Sequence, residues 1–141
     1  MRRFVKATSL LLLITLFLSC DLHDEGEKYE LVALPIAEVQ LPESFILNER
    51  YLFNISFTRP DACTGFRGFE VVVEETETHT VRHVVAIGAQ FQETFCPQAT
   101  ETLQTQMQFV CMYSSPYLFR FYTGDDPDGN PQYLEIEVPV E

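Results

Sequence analysis

An alternation of apolar and polar residues at every second position is the feature that most constrains the fold of this chain. The segment YLFNISF (51–57) has an aromatic or aliphatic side chain at each odd position, and LEIEVPV (134–140) repeats the pattern with glutamates between. Successive side chains of a β-strand point to opposite faces, so this period of two is typical of strands with one buried face. YLFRFY (117–122) follows the same rule.

Further segments extend the strand pattern to most of the chain. FEVVVEE and VRHVVAIGA predict a hairpin with its turn near 77–79, and YELVAL and ESFIL predict an earlier pair of strands. PQATETLQTQM (97–107) has a weak apolar period and many threonines, which favours a short helix or a polar loop. Seven or eight strands separated by turn residues predict an all-β fold, an antiparallel immunoglobulin-like β-sandwich, with 30–141 as a single domain.

The N-terminus has the composition of a targeting segment. MRRFVK carries three positive charges, and the 12 residues ATSLLLLITLFL follow without a charge. This apolar run suits the hydrophobic region of a signal peptide and is shorter than the roughly 20 residues that span a bilayer. A single-pass membrane anchor is the alternative. The run ends in FLSC (17–20), which resembles the lipobox of bacterial lipoproteins, where a small residue precedes a cysteine.

The resemblance implies a lipid anchor. In that family the signal peptide, here 1–19, is removed and the cysteine, here Cys20, becomes a diacylated N-terminus. Residues 20–29 are then an acidic tether, and the lipid bilayer is a partner of the chain through Cys20. The expected location is the bacterial cell envelope, at the outer membrane, on either its periplasmic or its surface face. The mature domain resembles small envelope lipoproteins only in general terms, and this implies no activity.

Charge excludes one class of partner. Arg2, Arg3 and Lys6 precede Cys20, while all 21 acidic residues follow it. Removal of 1–19 leaves 6 of the 9 basic residues against 21 acidic ones, a net charge of −15. A field of this sign repels phosphate backbones, so we expect no nucleic-acid partner.

Three cysteines remain after Cys20, an odd number for an oxidising compartment. Cys63 and Cys96 lie in turn-rich stretches where two loops can meet, and we predict a disulfide between them. Cys111 shares a strand face with Met107 and Phe109, which indicates a small, unpaired core residue. A metal site of the three cysteines is the alternative, although no CxxC spacing supports it.

Catalytic and metal-binding motifs are weak or missing. The chain has no GxSxG, P-loop or GxGxxG motif, so we predict a non-enzymatic protein without a cofactor. His79 and His83 would lie about 13 Å apart along a strand, too far for one metal ion, and are expected to be solvated or half-buried. TGDDPDGNPQ (123–132) offers oxygen ligands for calcium, but its residues are those of a turn, which is the favoured interpretation.

One candidate binding surface follows from the strand pattern. If 107–122 forms a hairpin, Met112, Leu118, Arg120 and Tyr122 point outward as a largely apolar patch, unless another strand or loop covers it. The patch predicts a binding or accessory module whose partner is an envelope protein or a glycan. A structural envelope protein without a specific ligand is the alternative, followed by a calcium-dependent adhesion module and an enzyme.

Overall fold

The computed structural model of the chain describes residues 28–92 and 95–141, which form eight β-strands and no helix. The strands are β1 (Tyr29–Leu34), β2 (Ile36–Gln40), β3 (Arg50–Arg59), β4 (Thr64–Glu75), β5 (Thr80–Phe91), β6 (Glu101–Val110), β7 (Tyr117–Asp125) and β8 (Pro131–Val138). They make two sheets, so the prediction of an all-β sandwich with seven or eight strands is confirmed.

The sheets differ in width. In the five-stranded sheet, β5 pairs with β4 along one side, and with β1 and β7 along different halves of its other side. β8 completes this sheet next to β7, while β2, β3 and β6 form the three-stranded sheet in that order. All pairs are antiparallel except β5 with β7. This parallel pair is possible because the chain leaves the wide sheet for β6 and returns to it as β7.

An aromatic core joins the two sheets. Phe53 and Phe109 of the narrow sheet face Phe119 of the wide sheet, with ring centroids 5.5 Å and 5.4 Å from the Phe119 ring. Phe45 lies in the connection after β2 and is fully buried among them. Its backbone is held at the C-terminal end of the chain by hydrogen bonds from the Phe45 N–H to the Pro139 carbonyl and from the Glu141 N–H to the Phe45 carbonyl.

Several local predictions have clear outcomes. The β4–β5 hairpin is confirmed, with its turn over 76–79. The prediction of a helix or polar loop is wrong for 101–107, which belong to β6. The pairing with β3 along the whole of β6 overrides the low apolar content of this segment. ESFIL contributes only an isolated bridge at Phe45, and the early strand of this region is instead β2.

The predicted hairpin over 107–122 is wrong. β6 pairs with β3 in the narrow sheet, whereas β7 pairs with β5 and β8 in the wide sheet. The connection between them therefore crosses from one sheet to the other. The inward direction of Phe109, Cys111, Phe119 and Phe121 is nevertheless as predicted, since all four are buried.

Candidate binding groove

The unequal widths of the sheets leave one side of the sandwich open. Phe69, Val71 and Val73 of β4 are in register with the buried inner-face residues of β5, so they point inward as well. Among the described residues the narrow sheet has no strand beneath them, and Val71 and Val73 are 41% and 49% exposed. Together with β6 they line a groove of about 510 Å³, which is mainly apolar. We call this the β4–β6 groove.

Arg82 forms part of the inner wall of the groove. It lies on the inner face of β5, where it is opposite Val73 of β4 on one side and Phe119 of β7 on the other, and it is only 8% exposed. Its guanidinium carbon is 5.7 Å and 5.6 Å from the ring centroids of Tyr113 and Tyr117, a cation–π arrangement. Its Nη1 is buried and has no hydrogen-bond partner among residues 28–92 and 95–141. A buried cation with an unused donor is costly, so this position favours an anion.

Tyr117 holds the β6–β7 connection, which contributes Met112 to the groove. Its hydroxyl oxygen accepts hydrogen bonds from the backbone N–H groups of Met112 (3.0 Å) and Tyr113 (2.9 Å). These bonds hold the β6–β7 connection so that the Tyr113 ring faces Arg82 and Met112 lines the groove. Burial raises the pKa of Tyr117, so the phenol remains protonated at neutral pH.

The residues of the predicted patch do not form one surface. Leu118, Arg120 and Tyr122 alternate with buried residues of β7 and therefore lie on the outer face of the wide sheet. Arg120 forms an ion pair there with Glu135 of β8, with 2.8 Å between Nε and Oε1. Met112 is 67% exposed and belongs to the β4–β6 groove instead. The prediction of this patch depended on β6 and β7 being neighbours in one sheet, and they lie in different sheets.

The cysteine predictions are confirmed within the described part of the chain. Cys63 and Cys96 form a disulfide with their Cα atoms 5.8 Å apart, and Cys111 is buried and free. One set of three potential metal ligands converges among these residues, namely Asp61 with the two disulfide cysteines. Both sulfurs are bonded to each other, so the set offers no thiolate to a metal. Cys20, the predicted acylation site, lies outside the described residues.

The acidic segment 123–132 contains the turn between β7 and β8, which covers 126–130. Asp126 Oδ1 accepts hydrogen bonds from the backbone N–H groups of Asp128 and Asn130, both at 2.9 Å. Gly129 takes a positive φ of 83°, which glycine adopts without steric cost. The Asp126 carboxylate thus organises the chain reversal. The bonds to Asn130 and Asp128 hold the pKa of Asp126 below its ordinary value.

The two histidines of the domain are half-buried, as expected. The Nε2 of His83 lies 3.3 Å from a Glu74 oxygen, and the Nε2 of His79 lies 3.5 Å from a Glu137 oxygen. Each imidazole therefore has its own carboxylate neighbour, which gives both a structural explanation.

Sequence reasoning missed the residues that define the groove. The local pattern predicts that Val71 and Val73 lie in a strand but gives no reason for their exposure, because it does not show how wide the opposite sheet is. Arg82 did leave a signal, since it is in phase with Val84 and Ala86 as the only charged residue on that face of its strand. A cation at a position that alternation assigns to the core indicates a buried charge that needs a partner.

The fold and the groove define an all-β sandwich with one open side. None of the described residues belongs to a helix that is long and apolar enough to cross a membrane. The chain matches no protein-family model, no curated protein and no solved structure. Its function is therefore inferred from its own residues.

Asp61 is a separate buried polar centre next to the disulfide. Its Oδ1 accepts hydrogen bonds from the Thr64 hydroxyl (2.7 Å) and the Cys63 N–H (3.0 Å), and its Oδ2 accepts one from the Gln90 amide (2.9 Å). The Thr64 bond is the main reason why the pKa of Asp61 is below its ordinary value of 3.8. Asp61 joins the start of β4 to the end of β5 in this way.

We expect Asp61→Ala to lower the free energy of unfolding by about 2–3 kcal/mol at pH 7, because three donors lose a charged acceptor. A carboxyl with a lowered folded-state pKa stabilises the protein above its unfolded pKa. The difference in the free energy of unfolding between the native chain and the variant should therefore be constant above about pH 5 and shrink as the pH falls below 3.8. Urea unfolding of both proteins across this range measures it. Asp128→Ala, in the exposed turn, is the control, and a deficit that did not change with pH would contradict the assignment.

Proposed function

We propose that this chain is a lipoprotein of the bacterial cell envelope, anchored to the outer membrane by acylated Cys20, whose β-sandwich is a non-enzymatic binding module. The observation that supports binding is the β4–β6 groove with Arg82, whose buried Nη1 has no hydrogen-bond partner within the described part of the chain. The lipobox-like FLSC segment supports the anchor. The predicted acidic tether, 20–29, would then lead from the lipid into β1, whose first residue is Tyr29.

The composition of the groove fits a ligand site better than a packing defect. Ligand sites are concave and largely apolar, with a small number of polar groups that orient the ligand. Here Val71, Val73 and Met112 provide apolar surface, and Arg82 provides one cation. The Tyr113 and Tyr117 rings contact the guanidinium of Arg82, but they leave its buried Nη1 without a hydrogen-bond acceptor among the described residues. An anionic group on the ligand would supply this acceptor.

The β4 strand supplies a matched pair of positions for a test. Val72 and Val73 are adjacent valines of similar exposure, 54% and 49%, but they point to opposite faces of the sheet. Val73 faces the groove, whereas Val72 lies next to His83 on the outer face. A photoreactive amino acid at either site in the native host reports which face a ligand contacts. Each variant is made with Cys20 intact and in a Cys20→Ala background.

We expect a discrete covalent adduct at position 73, none at position 72, and membrane fractionation of the adduct only when Cys20 is intact. Palmitate labelling of the same samples should depend on Cys20. Equal results at positions 72 and 73 would reject the groove as the binding site and leave the structural envelope protein as the better hypothesis. Membrane association and labelling that persist in the Cys20→Ala background would reject the lipid anchor, independently of the groove.

A further inference from the structure

We propose that the ligand of the β4–β6 groove is an extended peptide strand that pairs with the free edge of β6 and carries an acidic side chain for Arg82. The inference rests on the proposed function of the groove as a binding site and specifies the chemistry of its ligand. Three independent features support it: the edge of β6, the side chains on both faces of that edge, and the charge of Arg82.

The edge of β6 is open. Within the described residues β6 pairs with β3 alone, along all ten of its residues and without a register shift. Alternate residues of an antiparallel strand direct their N–H and C=O groups away from the paired neighbour. β6 therefore offers a row of backbone donors and acceptors to a further strand. A strand added here would be the fourth of the narrow sheet and would lie along the groove.

The other sheet edges carry features that discourage strand addition, and β6 does not. β4 has a bulge between Phe66 and Gly68, as well as several charged side chains. β8 begins with a proline and contains two glutamates, and β2 is short and irregular. β1, the remaining edge strand, has only six residues and carries Glu30. By contrast, the β6 segment 102–110 (TLQTQMQFV) has no charge, no proline and no bulge. Proteins protect their edges with these devices, so an edge without them is available to a partner strand.

The side chains flanking the edge define both faces of the missing strand. Val71 and Val73 would cover its inward side chains, which should be apolar. On the outer face an amide ladder crosses the narrow sheet: Asn54 Nδ2 donates to Gln40 Oε1 (3.2 Å), and Gln106 Nε2 donates to Asn54 Oδ1 (3.1 Å). The ladder ends at Gln106 on the free edge. An outward threonine, asparagine or glutamine of the added strand would continue it.

Arg82 adds charge specificity to this alternating pattern. It faces the inner side of the groove, where the added strand would otherwise present apolar residues. One inward Asp or Glu would give Nη1 the hydrogen bond it lacks among the described residues. Met112, which also lines the groove and is largely exposed, is a flexible side chain that can adapt to the bound strand. A carboxylate on a simple alkyl chain would satisfy Arg82 but would use neither the backbone edge nor the amide ladder.

The test uses the full chain as purified from its cells, in lipid nanodiscs. The probes are synthetic peptides as long as β6. Their side chains alternate between valine at positions that would face the groove and threonine or glutamine at positions that would face outward. Each peptide has glutamate at one of the inward positions, and this position differs between peptides. One control peptide has glutamine in place of the glutamate. A second control peptide is methylated at the backbone nitrogens that would face β6. Dodecanoate serves as an amphiphile without a peptide backbone. The readouts are affinity and residue-resolved hydrogen exchange.

We expect one of the peptides to bind and to slow the exchange of alternate amides within 106–110 at least tenfold. The glutamine peptide should bind to the native chain about 30-fold more weakly than the glutamate peptide does. The Arg82→Met variant should bind the glutamine peptide no more weakly than it binds the glutamate peptide. Arg82→Lys should retain part of the preference for glutamate. The N-methylated peptide should not bind. Because the peptide controls use the native chain, they remain decisive even if a variant folds poorly.

Other outcomes overturn the inference in distinguishable ways. Peptide binding without protection of β6 amides would exclude strand addition. Dodecanoate binding without peptide binding would replace the peptide by an amphiphilic carboxylate and leave the proposed function intact. If neither probe binds and position 73 gives no adduct in cells, both the inference and the proposed function are wrong. An adduct at position 73 with no peptide binding would overturn the inference alone.

Discussion

Phe45→Ala is expected to lower the free energy of unfolding by about 3–5 kcal/mol, the usual range for the loss of a fully buried phenylalanine. The Phe45 ring lies 4.8 Å from the ring of Tyr51 and 4.9 Å from that of Phe109, measured between centroids, and it has no exposed surface. It also contacts the Phe119 ring of the opposite sheet in an edge-to-face arrangement, with 6.0 Å between the two ring centroids. Removal of this ring leaves a cavity where both sheets meet.

Ile46→Ala is the matched control for this prediction. Ile46 is the next residue along the chain but is 50% exposed, so its truncation should cost well under the Phe45 value. Equilibrium urea unfolding of the two variants measures the difference. Phe45→Leu should recover part of the loss because it refills some of the volume. Similar small effects for Phe45→Ala and Ile46→Ala would contradict the position of Phe45 at the centre of the core.

Replacement of both Cys63 and Cys96 by serine is expected to lower the free energy of unfolding by about 3–4 kcal/mol in the chain-entropy description of disulfides. The bridge closes a loop with a sequence separation of 33 residues. It joins the β3–β4 and β5–β6 connections, both of which cross between the sheets. Loss of the bridge frees these two crossings in the unfolded chain, and this is the main source of the effect.

Reductant separates this effect from that of the third cysteine. Thiol reductant should lower the unfolding midpoint of the native chain and of Cys111→Ala to the same extent, but should leave the double serine variant unchanged. Cys111→Ala itself should cost less than the loss of the bridge, since it removes a single buried sulfur atom. A Cys111→Ala protein that had lost its response to reductant would show that the disulfide has a different pairing.

Strands with one strongly apolar face were predictable from local pattern. In β3, for example, Phe53, Ile55 and Phe57 are buried while their neighbours are not, and this alternation is visible in seven letters of sequence. The disulfide was predictable because two of the three cysteines lie among turn residues, whereas the third continues the apolar alternation of Met107 and Phe109. These features depend on near neighbours in the chain, so sequence reasoning reaches them.

Pairing between distant strands was not predictable in the same way. The polar sequence of β6 forms a strand because ten residues of β3 pair with it, from Arg50 with Val110 to Arg59 with Glu101. Nothing in the local pattern of 97–107 indicates this partner. The assumption that sequential strands are neighbours then produced the false hairpin over 107–122. With it came a binding patch that combined Met112 with residues from the outer face of the other sheet.

The amino-acid sequence by itself determined the all-β class, the inward and outward faces of most strands, the Cys63–Cys96 disulfide and the acidic charge. These properties follow from residue type and from periods of a few residues. Only the tertiary structure decided that the sheets have three and five strands, and hence that Val71 and Val73 lie uncovered above an open edge. The physical reason is that a strand pattern shows which face is apolar but not whether another strand covers it. Arg82 became a candidate ligand contact only when its neighbours across two sheets were known.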